Sequence, residues 1–256
     1  MLHRETGKNG RRNRWLRSGI AGAALLLCTG LLIGGIYAGQ YYPADKTAQT
    51  ALGSGENVTV VQMDYGWLFD GPSETDALIF YPGGKVEETA YAPLLRRLAE
   101  QGMDACLVKM PLCLAVFGVN KADQVMKCHD YARWVVGGHS LGGAMAASYA
   151  AKHASRLEGV AMLAAYPTEA LDDQMRVVLI YGSEDGVLNR SKLEAAKRLV
   201  PDGGRIIELE GANHAGFGNY GNQKGDGRAA IPSEEQQRRT VEHLVQAFVR
   251  NPCPPE

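Results

Sequence analysis

From residue 58 to residue 250, short β-branched or apolar runs alternate with longer stretches whose apolar positions recur at helical spacing. Residues 58–63 have the β-branched content of a strand, and residues 66–69 read as the second arm of a hairpin. Residues 77–81, Ala-Leu-Ile-Phe-Tyr, form an unbroken apolar run, the pattern of a strand buried on both faces of a parallel sheet. The same pattern predicts strands at 105–109, 134–137, 160–164, 177–181 and 205–209, and helices at 89–101, 121–133, 143–153, 191–199 and 234–250. Leu94, Leu95 and Leu98 give the first helix an apolar face, and Gly102 gives it a stop. Alternation of this kind predicts one α/β domain over 58–250, with a mostly parallel central sheet covered by helices on both faces.

The chemistry gathers where strands end. The strand at 134–137 runs into Gly138-His139-Ser140-Leu141-Gly142-Gly143-Ala144, and an alanine-rich helical stretch follows. This is the G-x-S-x-G pattern in the context that gives it meaning, with an apolar strand before it and a small-residue helix after it. The tight turn lifts the serine hydroxyl clear of the sheet. It also leaves backbone N–H groups at a helix N-terminus, where they meet a developing negative charge. Two later strands end in polar loops: 177–181 in Gly182-Ser183-Glu184-Asp185-Gly186, and 205–209 in a segment containing Gly211-Ala212-Asn213-His214-Ala215-Gly216. The other histidines are placed less well for catalysis. His3 is in the basic tail, His129 and His153 fall in expected helices, His243 is in the last helix, and His139 is the variable elbow residue.

These features resemble the α/β-hydrolase superfamily over about residues 58–250, and most closely its small capless branch, the dienelactone-hydrolase-like or fold-5 type. The resemblance rests on the elbow, on the order nucleophile, acid, histidine, and on the glycine turn Pro82-Gly83-Gly84-Lys85 after the 77–81 run. It implies Ser140 as nucleophile, His214 as base and Asp185 as the acid, with Glu184 the neighbour that could substitute. It also implies an oxyanion hole from the N–H of Leu141 and one N–H of the glycine turn, Gly84 or Lys85. Tyr81-Pro82 stands where His-Gly members of the family carry their histidine. Only residues 165–176 separate two strands between which many members insert a lid, so no cap domain is expected and the site should be open. In the glycine-rich loop 217–228, Phe217, Tyr220 and Gln223 are candidates to line the substrate; the alternative is a solvated loop. The expected activity is hydrolysis of a small-molecule carboxylic ester through an acyl-enzyme. Amide or peptide cleavage and acyl transfer use the same triad, and a catalytically silent tethered binding protein is the reading from another class. Nothing in the sequence calls for a metal or an organic cofactor.

Charge distribution adds an anchor to this picture. Net charge is −1 over 256 residues. Residues 1–19 hold six basic side chains against Glu5, a net +5, so the remainder carries −6. A mildly acidic body argues against nucleic acid as a partner. Residues 20–39 are uncharged and mostly apolar, 20 residues that suffice to cross a bilayer. The basic block predicts a cytoplasmic tail (1–19), a transmembrane signal anchor (20–39), a linker (40–57) with Pro43, Gly53 and Gly55, and an extracytoplasmic domain (58–250) ending in a short tail (251–256). Secretion after cleavage is the alternative, although Ile36-Tyr37-Ala38 matches a small-x-small site poorly; a buried core helix is a third reading. Leu26-Leu27-Cys28 lacks the small residue that precedes a lipidated cysteine. Of five cysteines, Cys113 and Cys128 are a conceivable disulfide in an exported domain, and buried free thiols are the preferred reading of most.

Overall fold

In a computed structural model of the full chain, the described residues are 29, 39–73 and 75–250. The basic tail, nearly all of the apolar segment 20–39 and the tail 251–256 lie outside them. Among the described residues no helix is long and apolar enough to cross a membrane. The chain divides into two compact units, Met1–Gln40 and Tyr41–Glu256.

The second unit begins earlier than its first strand. Helix α1 (Lys46–Thr50) occupies the segment expected as a linker; Asp45 caps it by accepting the Ala48 N–H. Ala44 and Ala48 are buried in the core, and Tyr42 bridges to Val86. The expected start at residue 58 is therefore corrected to the beginning of the unit at Tyr41. Local composition reads as linker there because what holds the segment is tertiary packing.

The rest alternates as its pattern predicts: β1 (Thr59–Met63), β2 (Gly66–Asp70), β3 (Asp76–Tyr81), α2 (Ala92–Glu100), β4 (Asp104–Val108), α3 (Ala122–Met126), β5 (Arg133–His139), α4 (Leu141–Lys152), β6 (Gly159–Leu163), β7 (Arg176–Gly182), α5 (Arg190–Ala196), β8 (Arg205–Leu209) and α6 (Ser233–Phe248). The sheet order is β1-β2-β4-β3-β5-β6-β7-β8. β1, β2 and β4 pair antiparallel in turn, and all other pairs are parallel.

Side-chain alternation divides the core into two layers. Leu78 and Phe80 of β3 face α2 and α6, where Leu94, Leu98, Leu244 and Phe248 are buried. Ile79 and Tyr81 face the other way, against Val125 of α3, Ala146, Ala147 and Ala150 of α4, and Leu193 of α5. Gly102 adopts φ +89° just past α2, the left-handed stop its sequence position predicts.

The expected helix 121–133 is only partly formed. α3 ends at Met126, and the aromatic side chains beyond it are held by tertiary partners. The Tyr65 hydroxyl meets Nε2 of His129 at 2.8 Å, Tyr131 donates its hydroxyl to Asp104 at 2.6 Å, and Tyr131 stacks edge-on against Trp134. His129 is thus in a loop. Cys106, Cys113 and Cys128 are free thiols, so no Cys113–Cys128 bond forms, and only Cys106 is buried.

No helix intervenes between β6 and β7, as expected for a capless domain. The chain leaves β3 toward β4 on one side and returns to β5 on the other. That strand-order switch lies at the carboxyl ends of β3 and β5, the position where open α/β sheets place their ligands.

Candidate active site

Ser140 lies where β5 gives way to α4, with φ 52° and ψ −121°. For a residue bearing a Cβ this is a strained conformation, costing on the order of 1–3 kcal/mol, and it persists only where the surroundings enforce it. They do so here. The Ser140 N–H donates to Leu163 O at 2.8 Å, and the Ser140 carbonyl accepts from Ala144 at 3.0 Å. A β-carbon at Gly138 would lie 2.5 Å from Tyr81 O, and one at Gly142 only 2.2 Å from it. The glycines let the end of β3 press against the turn.

The carboxyl ends of β7 and β8 supply the partners. Asp185 is buried and both its oxygens are occupied. Oδ1 accepts the Val187 and Leu188 N–H groups at 2.8 Å each, and Oδ2 accepts Nδ1–H of His214 at 2.8 Å. Glu184, the alternative acid, is exposed and accepts from the Ser183 hydroxyl. His214 is 1% exposed. With its Nδ1 proton committed to the carboxylate, its Nε2 presents a lone pair, and that atom has no hydrogen-bond partner among the described residues. Ser140 Oγ likewise makes no hydrogen bond among them.

The glycine turn after β3 shows which donors remain available. Gly83 N–H donates to the Tyr91 hydroxyl at 3.1 Å. Lys85 N–H donates to Cys113 O at 2.7 Å, so Lys85 is corrected as an oxyanion donor: its N–H is already used. The N–H groups of Gly84 and Leu141 make no hydrogen bond among the described residues. The two residues are neighbours, because a β-carbon at Gly84 would lie 3.0 Å from Leu141 Cδ2.

Phe217 and Tyr220, candidates to line the substrate, are not on the surface. Both are buried in the core layer behind the base, 0% and 5% exposed. Their rings lie 5.7 and 6.5 Å from that of His139, and Gln223 accepts the Tyr220 hydroxyl at 3.0 Å. The loop is thus divided: 217–220 packs into the core, whereas Gly221, Asn222, Lys224, Gly225 and Arg228 are exposed.

Three further groups brace the site. Asp226 accepts N–H groups from His214 (3.1 Å), Ala215 (2.8 Å) and Gly186 (3.2 Å), joining the base loop to the acid loop. Its signal in the sequence is an acid between two glycines shortly after the histidine. Gln236, fully buried on α6, accepts Asn213 N–H and donates to Asn213 O. His139 is fully buried with its ring centroid 4.6 Å from that of His214. The Tyr91 hydroxyl accepts from Gly83 N–H and is also hydrogen-bonded to Nδ1 of His139 at 2.8 Å. Burial, and then the neighbouring His214, push the His139 imidazole well below its ordinary pKa, so it is neutral. Among the described residues no group of three or more His, Cys, Asp or Glu side chains could hold a metal ion.

Among curated protein sequences none matches this chain. Solved structures share its fold at low identity. A predicted CIB-like hydrolase from Thermoplasma acidophilum is 16% identical, with TM-score 0.56, over 75% of this chain and 100% of that one. A dienelactone hydrolase from Anabaena variabilis is 14% identical, with TM-score 0.54, over 75% and 100%. A carboxylesterase from Bacillus subtilis is 14% identical, with TM-score 0.54, over 83% and 97%. Residues 77–238 match the family described as Alpha/beta hydrolase family, a span from the start of the central strand β3 to within the closing helix, and the chain belongs to that family.

Proposed function

We propose that this protein is a serine hydrolase of carboxylic esters. The observation that carries the reading is the state of His214: Nδ1 held by a buried carboxylate, Nε2 unpartnered, at the sheet edge that presents Ser140 on a strained turn. Rotation of the Ser140 hydroxyl toward Nε2 completes the relay. Ser140 Oγ attacks the acyl carbon while His214 takes its proton, and Asp185 stabilises the imidazolium. The oxyanion is received by the N–H groups of Leu141 and Gly84. His214 then protonates the departing alkoxide. Water, deprotonated by the same imidazole, releases the acid and restores the serine.

The basic block and the uncharged stretch 20–39 support a membrane-tethered enzyme with its catalytic domain on the exported side. A fluorophosphonate probe and p-nitrophenyl acetate test the chemistry. Wild type is expected to label and turn over, whereas Ser140→Ala and His214→Ala lose on the order of 10⁴-fold in rate while keeping the wild-type circular dichroism. Labelling of Ser140→Ala equal to wild type, or turnover by His214→Ala near wild type, refutes the reading.

A further inference from the structure

Between β4 and α3 the chain makes two short 3-10 turns, Pro111–Cys113 and Ala115–Phe117. Leu112 and Phe117, 59% and 61% exposed, are the most exposed large apolar side chains among the described residues, and Val116 follows at 46%. This exposure is built into the loop. Leu112 and Cys113 both adopt left-handed φ values, 54° and 53°, which non-glycine residues seldom hold in succession. The two flanks of the loop are fixed. Cys113 O accepts the Lys85 N–H at 2.7 Å, and the buried Tyr81 hydroxyl donates to Val119 O at 2.6 Å and accepts from Ala122 N at 2.9 Å. Apolar side chains held outward on an anchored loop call for an apolar ligand.

The loop's position selects that ligand. β4 neighbours β3, so the loops at their carboxyl ends run side by side. A β-carbon at Gly84 would lie 3.8 Å from Leu114 Cδ2 and 3.0 Å from Leu141 Cδ2. The apolar lip is therefore continuous, through Leu114, with the two free N–H donors that receive the substrate carbonyl oxygen. Resting on that assignment of the oxyanion donors, we infer that Leu112, Leu114, Val116 and Phe117 form the seat of a linear aliphatic acyl chain, and that the substrates are medium-chain acyl esters. A chain attached at the carbonyl carbon starts beside Leu114 and runs outward along Val116 and Phe117. One side of it stays in water, so each methylene contributes about twofold in kcat/KM, half the free energy of the roughly fourfold for full burial.

The test uses the full chain and p-nitrophenyl acetate, butyrate, hexanoate and octanoate, each below its micelle concentration, alongside calorimetric binding of octanoate and butyrate to Ser140→Ala. The ratio of kcat/KM for octanoate ester over acetate ester is expected near 60. It should fall below 5 in the double variant Leu112→Ser/Phe117→Ser and hold in Val61→Ser, an exposed apolar control on β1 at the edge of the sheet. Octanoate should bind about tenfold or more tighter than butyrate, and the two lip substitutions, added to Ser140→Ala, should erase that difference. Serine-dependent turnover with a flat chain-length profile and equal binding overturns the lip and leaves the hydrolase intact. A selective octanoate site without ester turnover keeps the lip and overturns the hydrolase. Loss of binding to phosphatidylcholine vesicles in the double variant, with its ester profile unchanged, assigns the lip to a lipid surface and overturns the acyl-chain assignment.

Discussion

Asp226 should matter more than a loop carboxylate usually does, because its bonds run between loops. Replacing it with alanine removes the acceptor of the His214, Ala215 and Gly186 N–H groups. A hydrogen bond to a charged group contributes about 1.5–3 kcal/mol where water is excluded. Asp226 is half-buried, and water replaces part of what is lost, so about 1 kcal/mol for each bond is the appropriate scale. The expected loss is about 3 kcal/mol, a fall of roughly 1 M in the urea midpoint for a domain of this size. The kinetic effect is separate, because the acceptor holds the main chain of the base itself. Displacing a catalytic group by about 1 Å costs about 100-fold, so Asp226→Ala should lose about that in kcat/KM on p-nitrophenyl acetate. Asp226→Asn keeps Oδ1 for His214 and Gly186 but turns an amide donor toward the Ala215 N–H, and should fall about tenfold. Urea melts and initial rates on the three proteins decide the matter. An Asp226→Ala enzyme within threefold of wild type, with an unchanged midpoint, would show that the loops hold their positions without this carboxylate.

Two other substitutions probe the buried polar groups. Tyr91→Phe leaves Gly83 N–H without an acceptor and His139 Nδ1 without a partner in a fully buried site, which should lower unfolding free energy by about 2–4 kcal/mol. A loss under about 0.5 kcal/mol in denaturant melts would mean that neither bond is needed. Asp104 is fully buried, and burial pushes its pKa up to about 7 against the opposing hydrogen bonds from Tyr131 and Gly71. An unfolded chain releases that proton near pH 4. Between about pH 4 and 7 the folded state therefore holds a proton that the unfolded state has lost, and this contribution to stability is full below that window and gone above it. The stability advantage of wild type over Asp104→Asn should shrink as pH rises from 4.5 to 7.5; an advantage that stays flat or widens contradicts the assignment.

What the sequence discloses about this fold follows from where each determinant lies. The run Ala-Leu-Ile-Phe-Tyr reads as a doubly buried strand because both faces of β3 are apolar, and β3 is buried throughout. The helix expected over 121–133 shortens because Tyr131 and His129 bond to Asp104 and Tyr65 on other elements, which no local window contains. The segment before residue 58 reads as a linker for the same reason. Within the site, Ser140, Asp185 and His214 follow from the rule that function sits at strand ends, and the structure brings the last two into direct contact. The choice between Gly84 and Lys85 depends on a carbonyl at Cys113 in another loop, so the turn's own sequence cannot decide it. Asp226 was hidden by its neighbours, since glycines on both sides make a structural anchor look like a flexible loop.

For the serine–histidine relay proposed above, the same bonds decide which group must move. His214 is covered on all sides, its Nδ1 bonded to Asp185 and its N–H to Asp226, so swinging the imidazole toward Ser140 would break buried bonds and disturb a ring packed against His139. The Ser140 main chain is equally fixed, by Leu163 at its N–H and Ala144 at its carbonyl. Only the hydroxymethyl of Ser140 can move without breaking a bond, and its motion is a single staggered rotation on the picosecond-to-nanosecond scale. A relay whose base and acid are immobile and whose nucleophile turns on one torsion loses little energy in closing. On the proposed mechanism the rigid partners define the productive geometry, and the Ser140 side chain is the one group left to adjust to them.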